Sequence, residues 1–270
     1  MSKSVLYDEP GPRTRRIERI ASVSVGAVLL VGLVALVFGM ANKGLFDDRW
    51  MVFVDPPKGQ TANAVWSSLW RGLRATLMAA VVAAPLALAL ALVLVLLRVS
   101  PLRWVSRPTV VVIEFLRGMP VLLMMFFGLL GFGLSAFTAV VFGLVLYNAA
   151  IISEILRAGL AALPKGQSEA ATAIGLSAWQ SMRIIQMPQV VRYMLPSLIS
   201  QLVVLLKDSS LGFIVGYPEL LRTMQLNYSF FGDRYRLPLF VVTLLIYLAV
   251  NLTLSRVAII VERRLASRGQ

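Results

Sequence analysis

The chain is organised by apolar runs too long for the interior of a small soluble domain. Residues 20–40, "IASVSVGAVLLVGLVALVFGM", contain no charged side chain. An α-helix rises about 1.5 Å per residue, so about 20 such residues match a bilayer core about 30 Å thick. Five further runs follow near 70–97, 108–132, 136–158, 190–216 and 238–260. Hydrocarbon offers backbone groups no hydrogen-bond partner, which leaves helices or closed barrels as spanning structures. Continuous apolar runs lack the alternation a barrel strand requires. The expected fold is therefore all-α, a polytopic helix bundle of about six spans. The share of apolar residues, 58%, and the mean hydropathy of +0.80 agree with this. The first run is too long for a signal-peptide core and lacks a clear small-x-small cleavage site, so it reads as a retained helix. The 19 residues before it are polar and basic with a Pro-Gly-Pro break, and little fixed structure is expected there.

An even number of spans puts both ends on one side, and the charges choose which. Of 26 Lys and Arg, 16 fall in the N-terminal tail, the 98–107 and 157–192 loops and the C-terminal end. Eight fall in the alternate loops, and Arg117 and Lys207 lie at membrane depth. Cytoplasmic loops carry the excess of Lys and Arg, so both termini of this multi-pass protein are expected on the cytoplasmic side. The net charge of +13 then reflects topology, and no nucleic-acid partner is implied. The chain has no Cys and no His, which excludes disulfides, the usual zinc sites and His-based acid–base chemistry; no metal site is expected. No G-x-x-x-x-G-K-[ST] occurs, so any ATP and Mg would have to be held by another chain.

Residues 1–65 are expected to form a tail, an extra span and an outer loop, and 66–270 the main membrane domain. Pro85, Pro120, Pro196 and Pro218 fall in or beside runs, where kinks are tolerated if neighbours satisfy the freed backbone. The largest inner loop, about 159–189, reads "LPKGQSEAATAIGLSAWQSMRIIQMPQ" from Leu163 to Gln189. Ser168 is placed to cap a helix with Glu169 in its first turn, Gly175 to stop it, and Ser177 to cap a second helix ending before Pro188. Two short helices are expected on the inner membrane surface.

This loop resembles the cytoplasmic loop of ABC importer permeases. Glu169, Ala170, Ala171, Gly175, Ile185 and Pro188 fall in register with that family's motif, with Met187 where leucine is usual. "IEFLRGMPVLLMMFF" (113–127), "YNAAIISEILRAGL" (147–160) and "LPSLISQLVVLLKDSSL" (195–211) resemble, in order, three segments of the polar amino acid branch. Met119 stands in place of threonine and Ser200 where asparagine is common. The resemblance implies a five-span permease core. It also implies a loop that docks on a separate ATPase and transmits its closure.

Lys207 and Asp208 interrupt an apolar run at a depth where each charge costs about 2.5–3.5 kcal/mol. On a helix they join Ser197, Ser200 and Gln201 in one polar stripe, and Glu154 with Ser153 and Arg157 forms another. A zwitterion needs an anion for its ammonium and donors for its carboxylate, and Lys207, Asp208, Ser209, Ser210 and Glu154 offer both. Lys207 and Asp208 could instead pair with each other or with Glu154 and fasten two helices. Glu154 is open between the pathway and a local pair with Arg157. Glu114 and Arg117 are expected to form a local pair. Thr243, Tyr247, Asn251 and Ser255 recur every four residues as interhelical hydrogen-bonding groups.

The resemblance implies a permease subunit of an ATP-driven importer of a polar amino acid, glutamate or aspartate being favoured. Glutamine or a basic amino acid remains open, as does an ion-gradient carrier. The implied partners are two ATP-binding subunits, a second permease chain (identical or homologous), an extracellular amino-acid-binding protein and the bilayer. The chain itself would be a transport subunit, not an enzyme.

Overall fold

The computed structural model describes residues 11–42, 48–164 and 166–266, and among these there are helices and no strand. The tail before Gly11, Lys43, Lys165 and the end beyond Ala266 lie outside the described residues. Two units are distinguished, Met1–Val52 and Phe53–Gln270. In the first, α1 runs from Pro12 to Asn42, with Pro12 in the first turn, where its missing N–H costs nothing. The basic segment 12–19 is thus helical, not irregular as expected, because Arg, Glu and Ile propagate a helix once it is started. Its stretch Arg16–Gly39 is long and apolar enough to span a membrane.

The second unit holds ten helices among the described residues. Helix α2 (Ala62–Arg98) begins where the Thr61 hydroxyl accepts the Ala64 N–H, and it continues through Pro85 without a break. Its 37 residues extend about 55 Å, well beyond a bilayer core. Helix α5 (Ala136–Ala162) is capped by Ser135, and α11 spans Arg236–Ala266. Together with α1 these give four unbroken candidate spans.

Two expected spans are broken. The 108–132 run divides into α3 (Arg103–Gly118) and α4 (Val121–Phe126), which continues as a π turn, Phe127–Gly131; the two parts meet at 102°. Pro120 makes this corner, since proline restricts the residue before it to extended backbone, and Met119 has ψ 130°. The 190–216 run is bent by 63° between the segments Ala178–Tyr193 and Leu195–Phe213. Helix α9 (Leu195–Asp208) restarts there with Pro196 in its first turn and ends in a 3₁₀ turn, Ser209–Phe213.

A short helix in the expected 217–237 outer loop was not legible, because 12 residues are too few to read as a span. This helix, α10 (Leu220–Phe231), packs on α2. Gly72 admits it so closely that an added Cβ would lie 2.9 Å from the Leu220 Cα. Tyr217 donates to the Ala75 carbonyl at 2.9 Å, the Leu220 N–H to Thr76 Oγ1 at 3.2 Å, and Asn227 to Ser68 Oγ at 2.8 Å.

The core is built on small residues. Ala79, Ala83, Ala87 and Ala91, four apart on α2, are completely buried, and α5 is the helix that α2 contacts most extensively. In lipid, where apolar side chains gain little by leaving the solvent, close backbone approach supplies the dispersion that joins helices. Gly143 of α5 serves α4 likewise: an added Cβ there would lie 2.6 Å from Met125 Cγ and 2.9 Å from its backbone N. Gly143→Ala should therefore destabilise the bundle by about 1–3 kcal/mol. Gly118→Ala, where nothing lies within 4 Å, should be near neutral. Thermal unfolding of the two purified variants against the parent checks this.

Candidate functional site

Among the described residues Lys207 and Asp208 form no salt bridge with each other or with Glu154. Lys207 is exposed on α9 and Asp208 half-buried. Ser197 and Ser200, on the same stripe, are exposed as well. Gln201 turns the other way and donates at 2.8 Å to Oδ1 of Asn148, a completely buried residue of α5 whose own amide donates to the Leu144 carbonyl. Ser209 is also buried, its hydroxyl bound to the Leu206 carbonyl at 2.7 Å.

Lys207 and Ser210 line a cavity of about 250 Å³ with Leu221, Phe240, Thr243, Leu244 and Tyr247. It is built by the end of α9 with its 3₁₀ turn, the start of α10 and the N-terminal half of α11. Pockets for drug-sized ligands occupy about 300–1,000 Å³, so this one suits a smaller molecule. The Thr243 hydroxyl is buried without a hydrogen-bond partner among the described residues. Tyr247 is held by donating to Glu219 Oε2 at 2.6 Å. Glu219 is completely buried and also accepts the N–H groups of Leu221 and Arg222 at 2.9 and 2.7 Å, capping α10.

Of the four-residue repeat on α11, Tyr247 makes the expected interhelical bond. Asn251 donates to the Tyr247 carbonyl within its own helix at 2.8 Å, leaving its buried Oδ1 unpaired. That Thr243 and Tyr247 line this cavity, with Glu219 holding Tyr247 behind it, was not legible, because their grouping depends on how α10 and α11 meet α9.

Glu154 lies elsewhere. It accepts from Arg98 at the end of α2, and from Arg157 one turn along α5, whose Nε donates at 2.8 Å. The local pair with Arg157 is present, and Arg98 is a partner the spacing could not show. Arg117 and Glu114 form the expected pair at 3.1 Å.

The inner loop folds into α6 (Gly166–Ala173), α7 (Ala178–Gln180) with its π turn Ser181–Gln186, and α8 (Met187–Tyr193). Gly175 takes φ +84°. The Leu176 N–H reaches the Ala171 carbonyl and the Gly175 N–H that of Thr172, the paired bonds of a left-handed helix stop. Ser177 caps α7 in a reciprocal box with Gln180. Two expectations differ. Ser168 lies inside α6, its carbonyl accepting from the Thr172 hydroxyl. Pro188 starts α8 instead of following a stop, since the preceding π turn shifts the hydrogen-bond register and the first turn tolerates proline. Glu169, Ala170 and Pro188 are exposed, Ala171 is buried, and Ile185 and Pro188 line a shallow groove.

Residues 83–267 match the family described as the binding-protein-dependent transport system inner membrane component. The chain belongs to this family. The permease is 44% identical over 176 residues to the glutamate transport system permease protein GluD of Corynebacterium glutamicum, covering 62% of this chain and 64% of that one. It is 38% identical over 168 residues to the probable glutamine permease GlnP of Bacillus subtilis, covering 60% and 77%. A solved structure described as an amino acid ABC transporter with histidines superposes with TM-score 0.66 at 30% identity, over 73% of this chain and 94% of that one. The MetNI methionine transporter, at 18% identity and TM-score 0.62, shares the fold.

The Arg98–Glu154 bridge joins the C-terminal end of α2 to the C-terminal half of α5, and both side chains are largely sheltered (15% and 23% exposed). Such a pair is expected to couple by about 1–3 kcal/mol. Arg98→Gln and Glu154→Gln should each lower the thermal midpoint, with the double variant less damaged than the sum. Strict additivity would mean the bridge does not form in the membrane.

Proposed function

We propose that this chain is the membrane subunit of an ATP-driven importer of acidic amino acids, glutamate or aspartate, in a bacterial cytoplasmic membrane. The observation that carries the reading is Lys207: an ammonium with no ion pair among the described residues, on a span and lining a small cavity with Ser210 and Thr243. A charge at membrane depth faces a bundle interior or a water-filled path, not lipid. The exposed face of α9 therefore meets a second permease chain across the pathway. A substrate carboxylate accepts from Lys207 and Ser210, and Asp208 is the anion nearest in sequence for its ammonium. Ser200 lies on the same exposed face, whereas Gln201 and Ser209 act by holding the helix. Glu154, already matched by two arginines, holds the inner end of the bundle.

Family membership supports the remaining partners. A soluble binding protein delivers substrate outside, and two ATP-binding subunits supply ATP and Mg inside, docking on the loop of Glu169, Ala170, Ala171, Gly175, Ile185 and Pro188. Both termini lie in the cytoplasm on the charge count. The similarity to a glutamate permease favours an acidic substrate, and the similarity to a glutamine permease makes glutamine the competing one.

The test is uptake of labelled amino acids into proteoliposomes carrying the whole assembly, with and without internal ATP. Glutamate or aspartate should accumulate only with ATP. Lys207→Ala should abolish accumulation, at least 100-fold, with the complex still assembled. ATP-driven uptake of glutamine or arginine alone would overturn the substrate, and ATP-independent flux would overturn the importer. In the same vesicles Glu169→Lys should remove substrate-stimulated ATP hydrolysis while basal hydrolysis by the ATPase remains.

A further inference from the structure

Helix α3 divides its circumference into three faces at 100° per residue. Val105, Thr109, Ile113 and Leu116 point into the bundle, with Thr109, Ile113 and Leu116 buried. A third of a turn away, Trp104, Pro108, Val111 and Phe115 form an apolar stripe open to the surroundings, with Trp104 76% exposed and Val111 68%. The remaining face carries Arg103, Arg107, Glu114 and Arg117. Glu114 is matched by Arg117, whereas Arg103 and Arg107, one turn apart and exposed, have no hydrogen bond or ion pair among the described residues.

This is the pattern of a helix lying in a membrane interface, not of one crossing it. A spanning helix has no use for a charged stripe along its length, while an interfacial helix keeps its apolar face in acyl chains and its cationic face among headgroups. The 102° corner at Pro120 turns α3 across the direction of the helix that follows it. The Ser106 hydroxyl is bound to the Arg98 carbonyl at 2.6 Å, which sets the start of α3 beside the end of the long span α2. An exposed Trp at this level is the usual interfacial anchor. The open apolar and cationic faces meet along the side that carries Trp104 and Arg107, so one molecule with an acyl chain and an anionic headgroup satisfies both.

We propose that α3 is a docking surface for anionic phospholipid of the inner leaflet, with Arg103 and Arg107 taking the phosphate headgroup and Trp104, Val111 and Phe115 the acyl chain. The inner-leaflet assignment rests on the charge-derived orientation; the lipid contact itself does not depend on which substrate is carried. Bound at the base of α2, beside Arg98 and its bridge to Glu154, the lipid stabilises the inner end of the bundle.

The test uses the complex purified in detergent and supplemented with phosphatidylglycerol or with phosphatidylcholine of the same chains. Phosphatidylglycerol should raise the thermal midpoint above that in phosphatidylcholine by on the order of 3–6 °C. Arg103→Gln with Arg107→Gln should remove that difference while leaving the midpoint in phosphatidylcholine unchanged, and the double Lys variant should restore it. Arg71→Gln with Arg74→Gln, the same loss of charge at the other end of α2, should keep it. An equal response to both lipids, or a selective response that survives in the Gln variant or is lost in the Arg71 and Arg74 control, would overturn the proposal. So would equal stabilisation by glycerol phosphate, which would make this a soluble-anion site, or dissociation of permease chains in the Gln variant, which would give the face to a protein neighbour.

Discussion

The structure depends on how closely α2 and α5 can approach. In lipid there is little hydrophobic gain in bringing helices together, so the contact must come from dispersion between surfaces that fit. Alanine every fourth residue on α2 provides it, while glycines at 143 and 159 on α5 admit other neighbours as closely. At Gly159 an added Cβ would meet Met194 and Val190, so the same helix that receives α4 in its N-terminal half receives α8 and the α8–α9 corner near its C-terminal end. The inner loop, α9 and the cavity at Lys207 are therefore all positioned from one helix. A change that pushes α5 away moves each of them.

Within that frame polar groups have two distinct uses. Gln201 with Asn148, Tyr247 with Glu219, and Glu154 with Arg98 join segments far apart in the chain. Each is satisfied, as buried polar groups must be if they are not to weaken the fold. Lys207, Ser210 and Thr243 are different. They sit on helices so fastened and line a cavity, and the Thr243 hydroxyl has no hydrogen-bond partner among the described residues. The site proposed at Lys207 relies on that contrast between paired groups and groups without a partner among the described residues.

Much was legible beforehand. The all-helical character, the apolar segments and the left-handed stop at Gly175 followed from hydropathy and local backbone preference, which act within a few residues. The Ser177 cap followed for the same reason. The pairing of Glu114 with Arg117 was visible too, because one helical turn sets their separation. Less could be said where local rules compete: Ser168 looked like a cap but was overrun by a helix starting earlier, and Pro188 looked like a stop but began the next helix.

The sequence by itself determined that the long apolar segments are helices and which family the loop at 159–189 resembles. These follow from composition and from interactions spanning one or two turns. Only the tertiary structure decided that the run after residue 103 turns a corner and lies open to its surroundings. Only it decided that Glu154 is matched by Arg98, and that Thr243 joins Lys207 while Gln201 does not. The reason is physical: helical periodicity sets which residues share a face, but the neighbour that face meets is chosen by packing between segments 50 or more residues apart.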